Sequence, residues 1–407
     1  MPDVTTEPRI RDILRVPEVR AAMLGTLVIM LGYGIVAPVL PNYARSFGVG
    51  YDAVGVLVAA FSLTRLVFDP FVGRLLARFG ERSMATIGAV GVGVSSVMAA
   101  LAPNYPLLVL FRGIGGAGSA VFFAAILSFL LRTIPSDRVG RVMGVYYTSF
   151  NVGIIAGQPI GGLLARWFGL ASPLWAYGAA CFVAGWLFHR TIRDATVAAA
   201  GETLPASLRS LPWDRPFVAV LASNGAYLWL TGAVYGTLLP LFAHERVGLS
   251  FAGVGFALAV ATATEFVVLF PAGKATDRHG RRAVLAPSLA AYVVVSAALG
   301  LATTPVLLVA ALALLGVSSG YSGVPPAAML QDVTPEGLSA PAVTVFRFVG
   351  DVGFVLGPLV AGWAAGRYGF AAAFAITAVP CAVAVALVLS VRETMPALPR
   401  SGDARGL

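Results

Sequence analysis

Six charged residues of this chain lie inside long apolar stretches, where an ionisable side chain has little access to water. Three are arginines and three are carboxylates: Arg65, Asp69, Arg112, Glu265, Arg347 and Asp351. At the centre of a lipid bilayer each such charge would cost about 2.5–3.5 kcal/mol, so each needs a partner or a function. Burial raises the pKa of a carboxyl group, and a nearby arginine lowers it. A carboxylate whose surroundings change can therefore bind a proton in one state and release it in another.

The spacing of two of these residues predicts a shared helix face. Arg347 and Asp351 are four positions apart, which allows an ion pair within one helix. Asp351 would lie ~15 Å from the nearer end of that helix. Two interpretations stay open. Either Asp351, Glu265 and Asp69 carry protons with Arg347 beside them, or they form permanent structural ion pairs, Arg347 with Asp351 or Asp69 with a group of the same helix as Asp351.

The elements that must hold these residues are apolar helices. The chain of 407 residues is 58% hydrophobic and 12% charged, whereas a soluble protein has roughly a quarter of its residues charged. Apolar stretches of about 20 residues, each able to cross a bilayer as a helix, occur twelve times. The predicted spans are 21–44, 53–76, 84–102, 105–131, 143–165, 172–189, 216–241, 251–272, 283–303, 305–328, 341–365 and 370–391. We predict an all-α membrane protein with twelve transmembrane helices.

The chain contains an internal repeat with an offset of 200 residues. Identical residues at this offset include Gly48 and Gly248, Gly73 and Gly273, Gly116 and Gly316, and Gly153 and Gly353. The repeat predicts six-helix bundles at 1–190 and 215–407, joined by a polar cytoplasmic linker at 191–214. Two parallel repeats are expected to be related by a pseudo-twofold axis along the membrane normal, with a site between them. Glu265 occupies the repeat position of Arg65, so the two bundles differ in charge near mid-depth.

Basic residues predict the orientation of the spans. Of the 28 Arg and Lys residues, we place 21 in the tails and connections on the side that holds both termini. Four lie on the other side and three lie within spans. Such an excess marks the cytoplasmic side of a membrane protein. It predicts that both termini are cytoplasmic, and it explains the net charge of +9 without a nucleic-acid partner.

Two charged decapeptides occupy equivalent places in the repeat. They are "GRLLARFGER" (73–82) and "GKATDRHGRR" (273–282), and we predict that they join spans 2 to 3 and 8 to 9 on the cytoplasmic side. One interpretation is a charge cluster that only fixes topology. The other is a pair of gate loops formed by Gly73, Arg78, Gly80, Arg82, Gly273, Asp277, Arg278, Gly280, Arg281 and Arg282. Ala77 stands where the second copy has Asp277.

These motifs resemble those of the major facilitator superfamily. The second decapeptide fits the loop motif G-x-x-x-D-R-x-G-R-R, from which the first departs at Ala77 and Glu81. "LGYGIVAPVLP" (31–41) is similar to the first-span motif of the twelve-span drug:proton antiporter branch. Arg112 and Gly116 in "FRGIGGAG" are similar to the arginine motif of span 4 in that branch.

Spans 5 and 11 carry a further motif of this kind. "GIIAGQPIGG" (153–162) resembles the antiporter motif G-x-x-x-G-P-x-x-G-G, with Gln158 at the proline position, and "GFVLGPLVAG" (353–362) keeps the proline. Small residues let helices approach closely in lipid, and proline bends a helix. We expect the contact at which the bundles rock against each other to be formed by Gly153, Gly157, Pro159, Gly353, Gly357 and Pro358.

The resemblance implies a central cavity lined by spans 1, 4, 7 and 10. In this sequence those spans supply Tyr33, Phe122, Phe123, Asn224, Tyr227, Tyr235 and Tyr321. An aromatic lining suits a lipophilic substrate, although packing within the bundles would also use such residues. The resemblance also implies that Arg112 tunes the proton affinity of a cavity carboxylate, the alternative being an anchor of the outer gate. In the family the loop aspartates brace the closed cytoplasmic gate, so Ala77 predicts a resting state that is open to the cytoplasm.

Two short motifs typical of enzymes are explained by helix packing. "GIGGAG" (113–118) has no preceding strand, and "GVSSG" (316–320) lies in an apolar helix with no histidine partner. The three histidines and two cysteines form no pattern for a metal site. The sequence predicts no enzyme, no metal and no cofactor, with a proton as the coupling ion.

Together these features predict a secondary active transporter that works by alternating access. We expect a monomeric, proton-coupled exporter of amphiphilic, lipophilic small molecules in a bacterial inner membrane. Two alternatives remain. The chain could import a metabolite as a symporter or facilitator, since the fold serves both directions, or it could be a membrane sensor that transports nothing.

Overall fold

The computed structural model describes residues 17–134, 139–192 and 208–395. Most of the predicted linker and both tails lie outside these residues. The first half of the described chain contains α1 (Pro17–Val36, continued after a turn by Leu40–Arg45), α2 (Tyr51–Phe79), α3 (Glu81–Ala100), α4 (Tyr105–Thr133), α5 (Val139–Phe168) and α6 (Ser172–Thr191).

The second half opens with a short 3-10 turn, Leu208–Ser210. It then contains α7 (Arg215–Leu230, continued by a π-helix at Thr231–Leu238 and by Leu239–Glu245), α8 (Phe251–His279), α9 (Arg281–Ala298, with a 3-10 turn at Leu299–Leu301), α10 (Pro305–Gly323, continued by Pro325–Val333) and the helical run Ser339–Ser390. Gly369, at φ 80°, breaks that run into α11 (339–368) and α12 (370–390).

The lengths of these helices fit a membrane protein. Within the described residues, nine stretches are long and apolar enough to cross a bilayer. The longest of the nine, Ser339–Ser390, holds two passes because Gly369 breaks it. Val139–Phe168 and Ser172–Thr191, of 30 and 20 residues, complete the twelve. The predicted all-α membrane fold with twelve helices is confirmed, and several helices extend past the predicted apolar segments into polar surroundings.

The backbone repeats with the same offset as the sequence. Three pairs of glycines have positive φ at positions that differ by 200 in number: Gly48 and Gly248, Gly80 and Gly280, Gly169 and Gly369. Each glycine sits at a sharp turn between two helices, where other residues would be strained. The start of α4 and the start of α10 also match, since Asn104 and Thr304 each cap the backbone N–H three residues on.

Each half has its own buried aromatic core. In the first half Phe122 stacks on Phe188 with ring centroids 5.6 Å apart, and both rings are fully buried. In the second half Phe374 packs edge-on against Phe242, with centroids 5.4 Å apart. The two ends of the molecule are called here the basic face, which carries the turns at 79–81 and 279–281, and the opposite face, which carries the turns at 45–51 and 245–251.

Ion pairs at the basic face are inverted between the halves. Glu81, only 2% exposed, accepts hydrogen bonds from Ser128 Oγ and from the guanidinium of Arg132. At the equivalent positions of the second half, Arg281 Nε lies 3.2 Å from Asp332 Oδ2. The same contact between the third and fourth helices of each half is therefore built with opposite signs.

This inversion gives Ala77 a cause within its own half. Asp277 Oδ1 accepts a hydrogen bond from Arg281 Nη1 at 2.9 Å, four residues further on. An aspartate at position 77 would instead be four residues from Glu81, and like charges at that spacing repel. Asp277 itself has 76% of its side chain exposed in this structure, so the expected brace against the other half is not engaged here.

We expect Arg132→Gln to lower the free energy of unfolding by ~3 kcal/mol, because it leaves the buried Glu81 carboxylate without its cation. The measurement is the thermal unfolding midpoint of the purified protein in detergent. The exposed arginine Arg367 supplies the matched control, Arg367→Gln. The double variant Glu81→Arg/Arg132→Asp copies the polarity of the second half and should recover most of the loss. Equal midpoints for the two single variants would show that the pair contributes nothing.

A carboxylate from the chain after α12 closes the basic face of the second half. Glu393 Oε1 accepts a hydrogen bond from the backbone N–H of Arg281 at 2.7 Å, and the N–H groups of Arg282 and Ala283 also reach this carboxylate. Burial raises the pKa of Glu393, but hydrogen bonds from the backbone N–H groups of these residues and of Met395 outweigh it and hold the pKa below its ordinary value. The contact caps the N-terminus of α9.

Candidate functional site

A cluster of four charges joins α2 to α11. Arg65 Nη2 lies 2.8 Å from Asp351 Oδ1, and the two side chains are 36% and 14% exposed. Asp69, one turn beyond Arg65, is close enough to feel the charges of Arg65, Asp351 and Arg347. The partner of Asp351 is thus on the other half of the molecule, which differs from the pair with Arg347 that the spacing suggested.

The position of this ion pair follows from close helix contact. A Cβ atom on Gly55 of α2 would lie 2.2 Å from the carbonyl oxygen of Pro358 on α11, and one on Gly362 would lie 2.4 Å from that of Tyr51. The two backbones therefore touch near the opposite face. Arg65, the middle residue of its 29-residue helix, is carried along that contact line to Asp351.

Glu265 occupies the equivalent middle position of α8 and has hydroxyl groups around it. Tyr227 Oη donates a hydrogen bond of 2.8 Å to Glu265 Oε1. Tyr235 and Tyr292 lie close enough for the carboxylate charge to act on them, and Ser319 lies beside all of these groups. Among the described residues, Tyr235 Oη, Tyr292 Oη and Ser319 Oγ are buried without a hydrogen-bond partner.

The side of α8 that carries Glu265 is turned toward the other half. One turn earlier on the same helix, Thr262 Oγ1 accepts a hydrogen bond from Gln158 Nε2 of α5 at 3.1 Å. On the neighbouring side, Thr264 and Ala261 lie against Gly316 of α10. Residues three and four apart share a helix face, so Glu265 lies between these contacts and faces the centre of the molecule.

A π-helix places Tyr235 in this pocket. The segment Thr231–Leu238 in the middle of α7 is wound as a π-helix of eight residues. Its side chains are displaced from the positions that an α-helix would give them, and such segments are frequent at functional sites. Thr237 Oγ1 donates a hydrogen bond to the carbonyl of Gly232 five residues back, which stabilises the wider turn.

Arg112 is a buried cation on the first half. The residue is 3% exposed, and its guanidinium carbon lies 4.5 Å from the ring centre of Phe61 and 5.9 Å from that of Tyr177. Nε and Nη1 donate no hydrogen bond within the described part of the chain. The guanidinium is therefore held by aromatic faces, and two of its donors remain available to a further group.

Arg112 borders a cavity of about 50 Å³ between the two halves. The lining comes from α1, α2, α4, α7 and α11 and consists of Tyr33, Val36, Ala37, Leu40, Val58, Phe61, Ser62, Arg112, Gly236 and Phe354. This volume suits a few waters or one functional group of a ligand. It is the inner end of the space between the halves.

The other predicted cavity residues lie elsewhere. Phe122 is fully buried in the core of the first half, and Phe123 packs against Phe150. Asn224 Nδ2 donates a hydrogen bond to the carbonyl of Phe346, which ties α7 to α11. Tyr321 lines a separate apolar groove formed by α8, α9 and α10. Of the seven aromatic and polar residues, Tyr33, Tyr227 and Tyr235 are those beside the two charged pockets.

One residue that the sequence interpretation missed is Tyr292. It lies on α9, a helix that was not expected to reach the cavity, and its side chain is fully buried. A single tyrosine in the apolar stretch 283–303 is the only signal that could have pointed to it. Within the described residues no group of three His, Cys, Asp or Glu side chains is placed to hold a metal ion.

The glycines of α5 and α11 pack mainly within their own halves. A Cβ on Gly157 would lie 2.2 Å from the carbonyl oxygen of Leu31, and one on Gly357 would lie 2.3 Å from that of Trp229. Gly153 and Gly353 contact α1 and α7 in the same way. The expected rocking contact is therefore not formed by these four glycines, because they hold α1 to α5 and α7 to α11.

The contacts between the halves involve the prolines and neighbouring glycines of the same motifs. A Cβ on Gly255 of α8 would lie 2.3 Å from the carbonyl oxygen of Gln158 and 3.2 Å from the Cα of Pro159 on α5. Pro358 makes the equivalent contact with Gly55 of α2. Gln158, which stands at the proline position of the motif, also makes the hydrogen bond to Thr262 described above.

The gate-loop residues make contacts inside each half. Arg78 lies over the ring of Phe79 at 5.2 Å, and Arg82 Nη2 lies 3.5 Å from His189 Nε2. Arg282 Nη2 donates a hydrogen bond to the carbonyl of Leu389. Gly80 and Gly280 form the turns, and Arg278 is exposed. Gly73 and Gly273 have no atom within 4 Å of an added Cβ, so close packing does not explain them in this conformation.

The halves are joined at the opposite face. Asn42 Nδ2 donates a hydrogen bond of 3.2 Å to the carbonyl of Pro240, and Arg45 Nε lies 3.4 Å from Glu245 Oε1. Tyr51 also donates to Glu245. Toward the basic face, exposed polar side chains such as Thr148 on α5 and Thr344 on α11 indicate a space open to water. The structure is closed at the opposite face and open at the basic face.

Comparison with known proteins gives the same fold. The model of the Major Facilitator Superfamily matches residues 22–263 and 226–406 of the chain. The solved structure of a mutant of the nucleoside transporter NupG has a TM-score of 0.78 at 14% identity and covers 91% of this chain and 99% of that one. A bacterial homolog of the human lysosomal transporter Spinster, inward-facing and occupied, has a TM-score of 0.77 at 15% identity, covering 95% and 97%.

Two relatives in sequence have names that refer to drug resistance. The quinolone resistance protein NorA of Staphylococcus aureus (strain MSSA476) is 27% identical over 234 residues, which is 57% of this chain and 60% of that protein. The match therefore spans less than two thirds of the length of that relative. A chloramphenicol resistance protein of Streptomyces lividans is 28% identical over 356 residues, covering 84% of this chain and 86% of the relative.

Proposed function

We propose, on the premise that this chain belongs to the Major Facilitator Superfamily, that it exports amphiphilic small molecules in exchange for protons. Secondary transport through the membrane is the function of the family. Proton coupling, the outward direction and the amphiphilic substrate class are the proposal. The names of the two relatives, which refer to quinolone and chloramphenicol resistance, support export of drug-like molecules.

The observation that carries the proposal is the Arg65–Asp351 pair. It joins the two halves at mid-depth while the opposite face is closed. A proton on Asp351 would remove the charge that holds Arg65 and would weaken the link between α2 and α11. The state of this carboxyl group and the position of the two halves are therefore coupled, as an exchanger requires.

We propose the following order of events. With the opposite face open, Asp351 is separated from Arg65 and takes up a proton from outside the cell. Closure of the opposite face brings Arg65 back to Asp351, which favours the ionised carboxylate and releases the proton through the space open at the basic face. Asp69 extends the charged cluster toward that space. Net movement of protons into the cell would thus drive substrate out.

This scheme requires the basic face to be cytoplasmic. The turns at 79–81 and 279–281 carry Arg78, Arg82, Arg278 and Arg282, and positive charge of this kind is retained on the cytoplasmic side. We therefore propose a multi-pass protein of the bacterial inner membrane with both termini in the cytoplasm, acting as a monomer.

The proposal is tested in everted membrane vesicles that contain the chain, loaded by adding ethidium, a fluorescent lipophilic cation. Acidifying the vesicle interior should drive ethidium uptake, and collapsing the pH gradient with a proton ionophore should stop it. Vesicles without the protein supply the baseline. Accumulation only in right-side-out vesicles would support an importer, and no flux in either orientation would support a sensor.

A further inference from the structure

The two halves present buried charges of opposite sign to the central space. Arg112 on the first half has Tyr33, Tyr177 and Cys181 as the ionisable groups close enough to act on it. All three are neutral near pH 7, so no carboxylate of the described residues compensates this cation. Burying an unpaired guanidinium is costly, and its unpartnered Nε and Nη1 point to an acidic group of a ligand.

The pocket of Glu265 has the complementary chemistry. Tyr227, Tyr235 and Tyr292 surround the carboxylate, and no arginine, lysine or histidine acts on it among the described residues. Aromatic rings beside a carboxylate attract an organic ammonium group through both charge and cation–π contact. The unpartnered hydroxyls of Tyr235, Tyr292 and Ser319 would accept the N–H groups of such a cation or hold its water.

The two pockets are neighbours. Gly236 lines the cavity at Arg112, and Tyr235, the residue before it on the π-helix of α7, borders Glu265. Consecutive Cα atoms are ~3.8 Å apart, so one small molecule can reach from one pocket to the other. The cavity of about 50 Å³ at Arg112 has room for a carboxylate, with the rest of the ligand extending along α7.

We propose that the central site binds zwitterionic amphiphiles, with the acidic group at Arg112 and the ammonium group at Glu265. This inference rests on the proposed function, because it specifies the substrate class of that same site. A zwitterion compensates both buried charges at once. A pure cation leaves Arg112 unpaired and a pure anion leaves Glu265 unpaired, so both should bind more weakly.

The test uses four fluorescent probes on one rigid scaffold. They are a 7-piperazinyl quinolone-3-carboxylic acid, its ethyl ester, its N-acetyl derivative and the doubly blocked compound, which are zwitterion, cation, anion and neutral molecule. Dissociation constants are measured with the purified full-length protein in nanodiscs. We expect the zwitterion to bind at least tenfold more tightly than either singly blocked probe.

Two variants assign the two ends of the ligand. Arg112→Gln should weaken the two carboxylate-bearing probes about tenfold and leave the ester unchanged. Glu265→Gln should weaken the two ammonium-bearing probes and leave the N-acetyl derivative unchanged. Arg166→Gln and Glu336→Gln, which neutralise exposed residues, are the matched controls. If a neutral variant does not fold, Arg112→Lys and Glu265→Asp replace it and should show the same selectivity in smaller degree.

Equal losses for all four probes in either variant would overturn the inference, as would a wild-type protein without preference for the zwitterion. The same nanodisc samples are reconstituted for ethidium export driven by a pH gradient. If ethidium export is intact and the zwitterion preference is missing, the inference alone fails. If ethidium is not moved, the proposed function fails, whatever the binding constants show.

Discussion

Asp351→Asn is expected to reduce export driven by a pH gradient to the level of vesicles without the protein. Asparagine keeps the size of the side chain but cannot lose a proton, and it cannot hold Arg65 by charge. Exchange of labelled for unlabelled substrate at equal pH needs no proton and should continue at a reduced rate. Both fluxes are measured in everted vesicles, with Glu336→Gln as a control that neutralises an exposed carboxylate.

A charge swap separates proton coupling from a structural role of the same pair. Arg65→Asp with Asp351→Arg rebuilds the ion pair between α2 and α11 but moves the carboxylate to the other helix. If the pair acts only as a link between the halves, the swap should restore export. If the carboxyl group must be on α11 to exchange protons, the swap should restore folding and equilibrium exchange only. Unchanged pH-driven export in Asp351→Asn would exclude Asp351 as the coupling site.

Gly255→Leu is expected to abolish transport while leaving both halves folded. Its Cβ would lie 2.3 Å from the carbonyl oxygen of Gln158 on the other half, so α5 and α8 cannot come together at the opposite face. The protein should then remain open at that face. Spin labels at the exposed residues Leu101 and Leu301 should report a longer distance than in the wild type.

Two further glycines make this prediction specific. Gly366 has no atom within 4 Å of an added Cβ, so Gly366→Leu should leave transport and the label distance unchanged. Gly157 packs inside the first half, so Gly157→Leu should instead reduce the yield of folded protein. A normal label distance together with normal transport in Gly255→Leu would show that α5 and α8 need not approach each other this closely.

The sequence predicted the parts of the fold that depend on local pattern. Apolar length gave the spans, and the offset of 200 residues gave the paired turns, including those at Gly80 and Gly280. It could not give the partner of Asp351, which is 286 positions away at Arg65. That pairing depends on how closely α2 approaches α11, and the approach is set by backbone contact at Gly55 and Gly362, which no spacing within one helix encodes.

The site was predicted in part for the same reason. Glu265 and Arg112 were recognisable because a charge in an apolar stretch is conspicuous in any sequence. Tyr292 was not, because an aromatic residue in a buried helix is usually core, and only the fold brings it to Glu265. The departure at Glu81 was visible, but its meaning required Arg132, 51 positions away, and the inverted pair in the other half.

The six charges buried along the spans have a consequence for the membrane potential. Their formal charges sum to zero, with three arginines and three carboxylates: Arg65, Arg112, Arg347, Asp69, Glu265 and Asp351. Reorientation of the empty, unprotonated carrier therefore carries no net charge through the electric field. One bound proton makes the moving unit positive, and its inward passage then gains about 2.3 kcal/mol for each 100 mV. A neutral zwitterion leaving the cell adds nothing to this balance, so the voltage acts entirely on the step that returns the proton.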